Sequence, residues 1–134
     1  MAAWGTGSFE NDDARDFLGE LHSKQPDDLK QILARAAGRD GEPADYLEAP
    51  ESSVIVAAAE VVATAKGAPP ETVPHQIAEW VRKIEGAPSA EMNELARRAV
   101  NRVRLNSELK DLWLEAEGLN EWSAVLHDLE QRLE

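Results

Sequence analysis

The stretch Val54–Ala65, VIVAAAEVVATA, decides the fold of this chain because it is apolar except for Glu60 and Thr64. Its valines would suit a β-strand, but three consecutive alanines and a length of twelve residues favour an α-helix. Twelve residues with a glutamate among them cannot cross a bilayer. A helix that is apolar on most of its sides is surrounded by other elements. We therefore predict a central helix.

The segments on either side of this stretch show helical periodicity, and each carries residues that suit a helix start. No alternating strand pattern and no fixed-period repeat occurs in the sequence. We predict an all-α fold, a compact single-domain bundle of six or seven helices that covers residues 1–134. The expected helices run from Asp12 to His22 with Asn11 as cap, from Pro26 to Gly38, through Val54–Ala65, around Ile77–Ile84, from a Ser89 cap, from an Asn106 or Ser107 cap, and from Glu121 to the end, with one helical turn at Asp45–Glu48.

Glu60 is the one carboxylate within the central apolar stretch. If it is buried, its pKa rises or it needs an arginine partner, as functional carboxylates often do. On a helical wheel, however, Glu60 shares a strip with Ser53, Ala57, Thr64 and Gly67. That strip resembles a solvent-facing edge, and we favour exposure for Glu60.

The opening WGTGSFENDD, residues 4–13, allows three interpretations. A phosphate loop is excluded because no lysine and hydroxyl pair follows Gly7 and because nearby carboxylates would repel phosphate. A hard-cation site at Glu10, Asp12, Asp13 and Asp16 is conceivable from the oxygen ligands, but the spacing of a calcium loop is absent. We expect no metal site and no cofactor.

The third interpretation makes residues 1–10 an aromatic and glycine-rich segment packed on the bundle. Trp4 and Phe9 would fill an apolar gap beside Trp113 or Trp122, and the glycines would permit a tight path between them. Asn11 would cap the first helix, with Asp12 and Asp13 in the first turn where the helix dipole favours carboxylates. We favour this interpretation. The candidate binding residues of this segment are Trp4, Phe9, Asn11, Asp12 and Asp13.

The charge of the chain limits its partners. Twenty-six acidic residues against fourteen basic ones give a net charge of −12, while residues 61–105 carry seven bases and five acids. Repulsion from phosphates argues against nucleic-acid binding, and the charge would suit a basic protein partner. The chain contains no cysteine and no secretory signal pattern, which fits the cytoplasm.

Arg98 and Arg102 stand four residues apart in the fifth predicted helix. Together they could clamp a carboxylate or a phosphate. The alternative is intramolecular, because Glu91, Glu94 and Glu108 are near in sequence, and we favour arginines that hold helices together.

Four features of the sequence stand out together: Trp4-Gly5-x-Gly7-x-Phe9-x-Asn11-Asp12, Ala57-Ala58-Ala59-Glu60-Val61-Val62, Ser107-Glu108-Leu109-x-x-Leu112-Trp113 and Trp122. With these motifs the chain resembles a bacterial family known as domain of unknown function 4259. The resemblance implies a small bacterial, cytoplasmic protein but no activity for any residue. It also implies that Trp4, Glu60 and Trp113 belong to one assembled region.

Three functional hypotheses follow. The first is a non-enzymatic protein-interaction module with an acidic face, of which a toxin-neutralising immunity protein is one form. The second is an enzyme or small-ligand-binding protein that uses Glu60, Arg98 and Arg102; a deep pocket with convergent polar groups would favour it. The third is a structural or regulatory oligomer subunit. No catalytic residue is assigned.

Overall fold

A computed structural model describes residues 5–37, 46–84 and 86–134 of the chain. These residues form seven α-helices and one short 3-10 helix, and they contain no β-strand, which confirms the all-α prediction. The helices are α1 (Asp12–Glu20), a 3-10 helix (Leu21–Ser23), α2 (Pro26–Ala37), α3 (Ala49–Ala65), α4 (His75–Lys83), α5 (Ala90–Leu105), α6 (Glu108–Glu115) and α7 (Leu119–Arg132).

The helix starts follow local chemistry. The side chains of Asn11, Ser89 and Ser107 accept hydrogen bonds from the backbone N–H groups of the first turns of α1, α5 and α6. These bonds satisfy donors that have no partner within the helix. The sequence left Asn106 and Ser107 as alternative caps of α6, and the structure shows that Ser107 is the cap. Its hydroxyl also donates to the Val103 carbonyl at 2.7 Å.

Helix α3 is the centre of the bundle. It contacts α1, α2, α4, α5, α6 and α7, and nearly all its side chains from Ser52 to Ala63 are buried. The apolar character of the stretch on most sides explains this position, because only a helix surrounded by others can bury every face. Around it, α5 packs between α2 and α7.

Two sequence predictions are corrected here. The central helix begins at Ala49, five residues before the apolar stretch, because Pro50 suits a first helical turn and the buried Ser52 hydroxyl donates to the Glu48 carbonyl at 2.9 Å. The helical turn expected at Asp45–Glu48 is wrong for residues 46–48, which carry no helix, and Asp45 lies outside the described residues, as does Gly38.

Candidate functional site

The Glu60 side chain is buried, contrary to the exposed position that the helical wheel favoured. Glu60 is only 2% exposed. Its Oε1 accepts a hydrogen bond from Arg132 Nη1 at 2.8 Å, which joins α3 to α7 across 72 residues of sequence. Ser53 and Ala57 on the same strip are also buried, because α7 and α6 pack against α3. The strip is therefore an interface within the bundle from Ser53 to Glu60, while its end at Thr64 and Gly67 is partly buried and exposed, respectively.

The Arg132 guanidinium is held by three acceptors. Besides Glu60, its Nε donates to Asp128 Oδ2 at 2.8 Å and its Nη1 donates to the Ala68 carbonyl at 3.2 Å. Burial would lower the pKa of Arg132, but the hydrogen bonds and charges of Glu60 and Asp128 outweigh it and raise the pKa. The arginine therefore remains charged and joins the Glu60 side chain of α3 to α7.

A cleft of about 740 Å³ opens beside this ion pair. We name it the Glu60 cleft; its walls come from the N-terminal loop, the α3–α4 connection, the start of α4 and the side of α7. It is lined by Gly7, Ser8, Phe9, Glu10, Arg15, Glu60, Pro70, Glu71, Thr72, Pro74, His75, Gln76, Ala124, Val125, Asp128 and Arg132. Its charged groups are four carboxylates and two guanidiniums, with His75 in addition.

The N-terminal loop, residues 5–10, forms one wall of the cleft through the Glu10 carboxylate. Glu10 Oε1 accepts a hydrogen bond from the Gly7 N–H at 3.1 Å, and the Glu10 N–H donates to the Gly7 carbonyl at 3.1 Å. A Cβ added to Gly5 or Gly7 would collide with this carboxylate. Glu10 is exposed and its carboxylate is the end of a flexible side chain, so the contact shows how closely the loop folds around its own anion and does not itself require glycine. Phe9 lies half-buried against the core.

Ser8 stands out among the lining residues because its hydroxyl is buried without a hydrogen-bond partner in the described part of the chain. The residue is 9% exposed and lies in the wall of the Glu60 cleft. A buried hydroxyl without a partner costs free energy.

A second, smaller cavity lies on the other side of the N-terminal loop. We name it the Trp pocket; its volume is about 180 Å³, and Gly7 lines both cavities. It is lined by Gly5, Thr6, Gly7, Asn11, Asp13, Ala49, Pro50, Ser53, Leu109, Leu112, Trp113 and Trp122. The loop, the start of α1 and the C-terminal tryptophans thus meet here, where the aromatic lid was expected to dock. Trp4 itself lies outside the described residues.

Arg98 and Arg102 are not part of either cavity. They line a separate groove between α5 and the end of α2, with Ala36 and Ala37. Arg102 Nε donates to the Asn106 carbonyl at 3.0 Å. An active site that combines these two arginines with Glu60 is therefore not assembled; the guanidinium beside Glu60 belongs to Arg132.

Two other arginines of α5 form ion pairs within the chain. Arg104 Nε bonds Glu130 Oε2 at 2.6 Å and joins α5 to α7. Arg97 pairs with Glu94 within α5, and the Arg97 hydrogen bond lowers the pKa of the Glu94 carboxyl. For Arg98 and Arg102 the intramolecular interpretation stays a prediction.

The candidate residues Phe9 and Glu60 meet in the Glu60 cleft, while Asn11 and Asp13 line the Trp pocket. Asp12 is exposed and lines neither cavity. Sequence reasoning missed Arg132. The feature that could have drawn attention to it is its spacing of four residues from Asp128 in α7, which allows an ion pair on one side of the helix.

Within the described ranges, no three histidine or carboxylate side chains converge as a metal site. The expectation that no divalent ion binds specifically stays a prediction. No helix of the described residues is both long enough and apolar enough to cross a membrane.

Residues 2–125 match the family described as domain of unknown function (DUF4259), and the chain belongs to this family. The match includes all the motifs on which the resemblance was based. No curated protein and no solved structure is significantly similar to the chain. Family membership brings no activity with it.

Proposed function

We propose that the chain is a non-catalytic interaction module that binds a basic segment of a partner protein at the Glu60 cleft. The observation that supports this function is the charge of the cleft. Four carboxylates (Glu10, Glu60, Glu71, Asp128) face only two guanidiniums. Arg132 is already shared between Glu60 and Asp128. A cation entering the cleft therefore meets an excess of negative charge.

The rest of the protein reinforces this preference. The whole chain carries a net charge of −12, which attracts basic partners over long range and raises the rate of encounter. The low-dielectric walls around the cleft focus the potential there. A toxin-neutralising immunity protein is one form of such a module, and the cytoplasm is the compartment that the cysteine-free composition suits.

The function is tested with an acetylated tri-arginine peptide as probe, titrated calorimetrically at low and at high salt. Glu71 is exposed on the rim of the cleft, so Glu71→Lys changes its charge without disturbing the core. Glu115→Lys is the matched control, because Glu115 is exposed at the end of α6 and lines neither cavity. We expect Glu71→Lys to weaken binding about tenfold, equivalent to about 1.4 kcal/mol, and Glu115→Lys to weaken it less than about threefold. Equal effects of the two variants, or binding that is insensitive to salt, would contradict the proposal.

A second candidate function is the binding of a small polar molecule in the same cleft. Its volume of about 740 Å³ lies within the range of small-molecule sites, roughly 300–1,000 Å³. The buried Ser8 hydroxyl supplies a polar group without a partner in the described residues. Free spermidine and free arginine are the probes. A ligand that binds only the folded state raises the unfolding midpoint, so stabilisation by either probe without binding of the peptide would favour this second function.

A further inference from the structure

Two walls of the Trp pocket are indole rings held by the bundle. Trp122 of α7 is only 3% exposed, and Trp113 of α6 is half-buried against the core. The Trp113 ring lies directly on Gly118, where an added Cβ would collide with it. Among the described residues, a space of about 180 Å³ remains between these indoles and the N-terminal loop.

Asp13 gives this aromatic pocket a negative charge. It lies in the first turn of α1, and in the described residues no Lys or Arg nitrogen comes within 4 Å of its carboxylate. Asn11, which also lines the pocket, uses its Oδ1 to accept the Ala14 N–H at 2.8 Å. The Asp13 charge is therefore available to a ligand.

Indoles and a carboxylate around one space are complementary to an organic cation. The face of a tryptophan ring attracts a cation, and it attracts guanidinium in particular because the planar group also stacks. The carboxylate adds charge, and the Ser53 hydroxyl and the backbone of residues 5–7 add polar groups. An anion is disfavoured there by Asp13 and by the net charge of the chain.

The size of the pocket selects the kind of cation. A volume of about 180 Å³ is below the roughly 300 Å³ at which sites for drug-sized ligands begin. The space is suited to one side chain. Because Gly7 lines both cavities, a peptide lying across the N-terminal loop would reach the pocket with one residue and the Glu60 cleft with its neighbours.

We propose that the Trp pocket receives one arginine side chain of the basic partner, with the guanidinium between the indoles and Asp13. This inference rests on the proposed function, and it adds an anchor position that is distinct from the Glu60 cleft. The partner is thereby a protein whose basic segment contains an arginine at the point where it crosses the N-terminal loop.

The test uses the acetylated tri-arginine peptide and the neighbouring variants Asp13→Asn and Asp12→Asn. Both substitutions remove one charge from the first turn of α1, but only Asp13 lines the pocket. We expect Asp13→Asn to weaken peptide binding at least about fivefold and Asp12→Asn less than about twofold. Equal weakening would show a general charge effect and overturn the inference.

Further measurements examine the indoles and the cation. The peptide should shift the Trp113 indole N–H signal in the NMR spectrum, and Trp113→Leu should weaken binding at least about fivefold; an unmoved signal would overturn the inference.

A tri-citrulline peptide, neutral but of similar shape, should not bind, and a tri-lysine peptide should bind less tightly. A tri-lysine peptide that binds as tightly would refute the guanidinium assignment. Tetramethylammonium that shifts the Trp113 signal at a lower concentration than the peptide would refute the partner assignment in favour of a free cation.

These outcomes separate the two proposals. If Glu71→Lys weakens binding and Asp13→Asn acts like Asp12→Asn, the basic partner stands and the arginine anchor is wrong. If the parent protein does not bind the tri-arginine peptide at all, both proposals are wrong.

Discussion

The Glu60–Arg132 pair predicts an unequal response to the loss of either partner. The Arg132 side chain is 17% exposed and retains Asp128 and the Ala68 carbonyl when Glu60 is neutralised. The Glu60 side chain is 3% exposed, and among the described residues its polar contact is to Arg132. Losing the arginine therefore leaves a buried charge without compensation, whereas losing the glutamate does not.

The magnitudes follow from this difference. Removing one partner of a buried pair costs about 3–5 kcal/mol when the other charge stays buried, and we expect that for Arg132→Met, which keeps most of the apolar stem in place. For Glu60→Gln we expect the free energy of unfolding to fall by about 1.5–2 kcal/mol, because the hydrogen bond to Arg132 loses the charge of its acceptor. The double variant should lose less stability than the sum of the two single variants. The difference, which is the coupling free energy between Glu60 and Arg132, should be about 0.5–3 kcal/mol.

Urea unfolding followed by far-ultraviolet circular dichroism measures these free energies for the parent, the two single variants and the double variant. The control is Arg15→Met, because Arg15 is exposed on the opposite side of the cleft and has no ion pair in the described residues. We expect that control to stay within about 0.5 kcal/mol of the parent. An Arg132→Met variant equally close to the parent, or a Glu60→Gln variant that costs more than Arg132→Met, would refute the reasoning.

Partial desolvation and the charge of Asp111 raise the pKa of Tyr46, the single tyrosine of the chain. The substitution Asp111→Asn should therefore lower the pKa of Tyr46 toward its ordinary value, as measured by titration of phenolate absorbance. Because the folded state favours the neutral phenol, the raised pKa of Tyr46 contributes to folding stability at neutral pH, and this contribution is lost as pH rises through the folded pKa. A Tyr46 titration that is unchanged by Asp111→Asn would contradict the contact between Tyr46 and Asp111. Glu130→Ala should cost about 1.5–3 kcal/mol in urea unfolding, since it removes the charged hydrogen bond from Arg104 at 2.6 Å, and a cost below about 0.5 kcal/mol would show that this ion pair does not stabilise the contact between α5 and α7. Ser107→Ala should cost about 1–2 kcal/mol through loss of the α6 cap, and an unfolding curve identical to that of the parent would mean that water replaces the cap.

The helices were predictable because their signals are local. Asn11, Ser89 and Ser107 cap helices through N–H groups three residues away, and the periodic apolar residues that follow them face the core. The position of Glu60 was not predictable in this way. A strip on a helical wheel shows which residues share a side of α3, but not whether another helix covers that side, and the covering residue Arg132 is 72 positions away.

The candidate site was predictable only in parts. The opening segment and the C-terminal tryptophans were expected to meet, and Gly5 and Asp13 do line one pocket with Trp113 and Trp122. The path of the glycine loop was not predictable, because it depends on how the Glu10 carboxylate folds back over it. The cleft itself arises between four chain segments that are distant in sequence.

The separation of Glu60 and Arg132 along the chain has a consequence for synthesis on the ribosome. At about 5–20 residues per second, the 72 residues from Val61 to Arg132 take about 4–14 s to add. During that interval α3 has already been synthesised, but burying its carboxylate would cost free energy because the guanidinium has not been made. Synthesis of α7 therefore supplies the group that makes burial of the Glu60 carboxylate favourable.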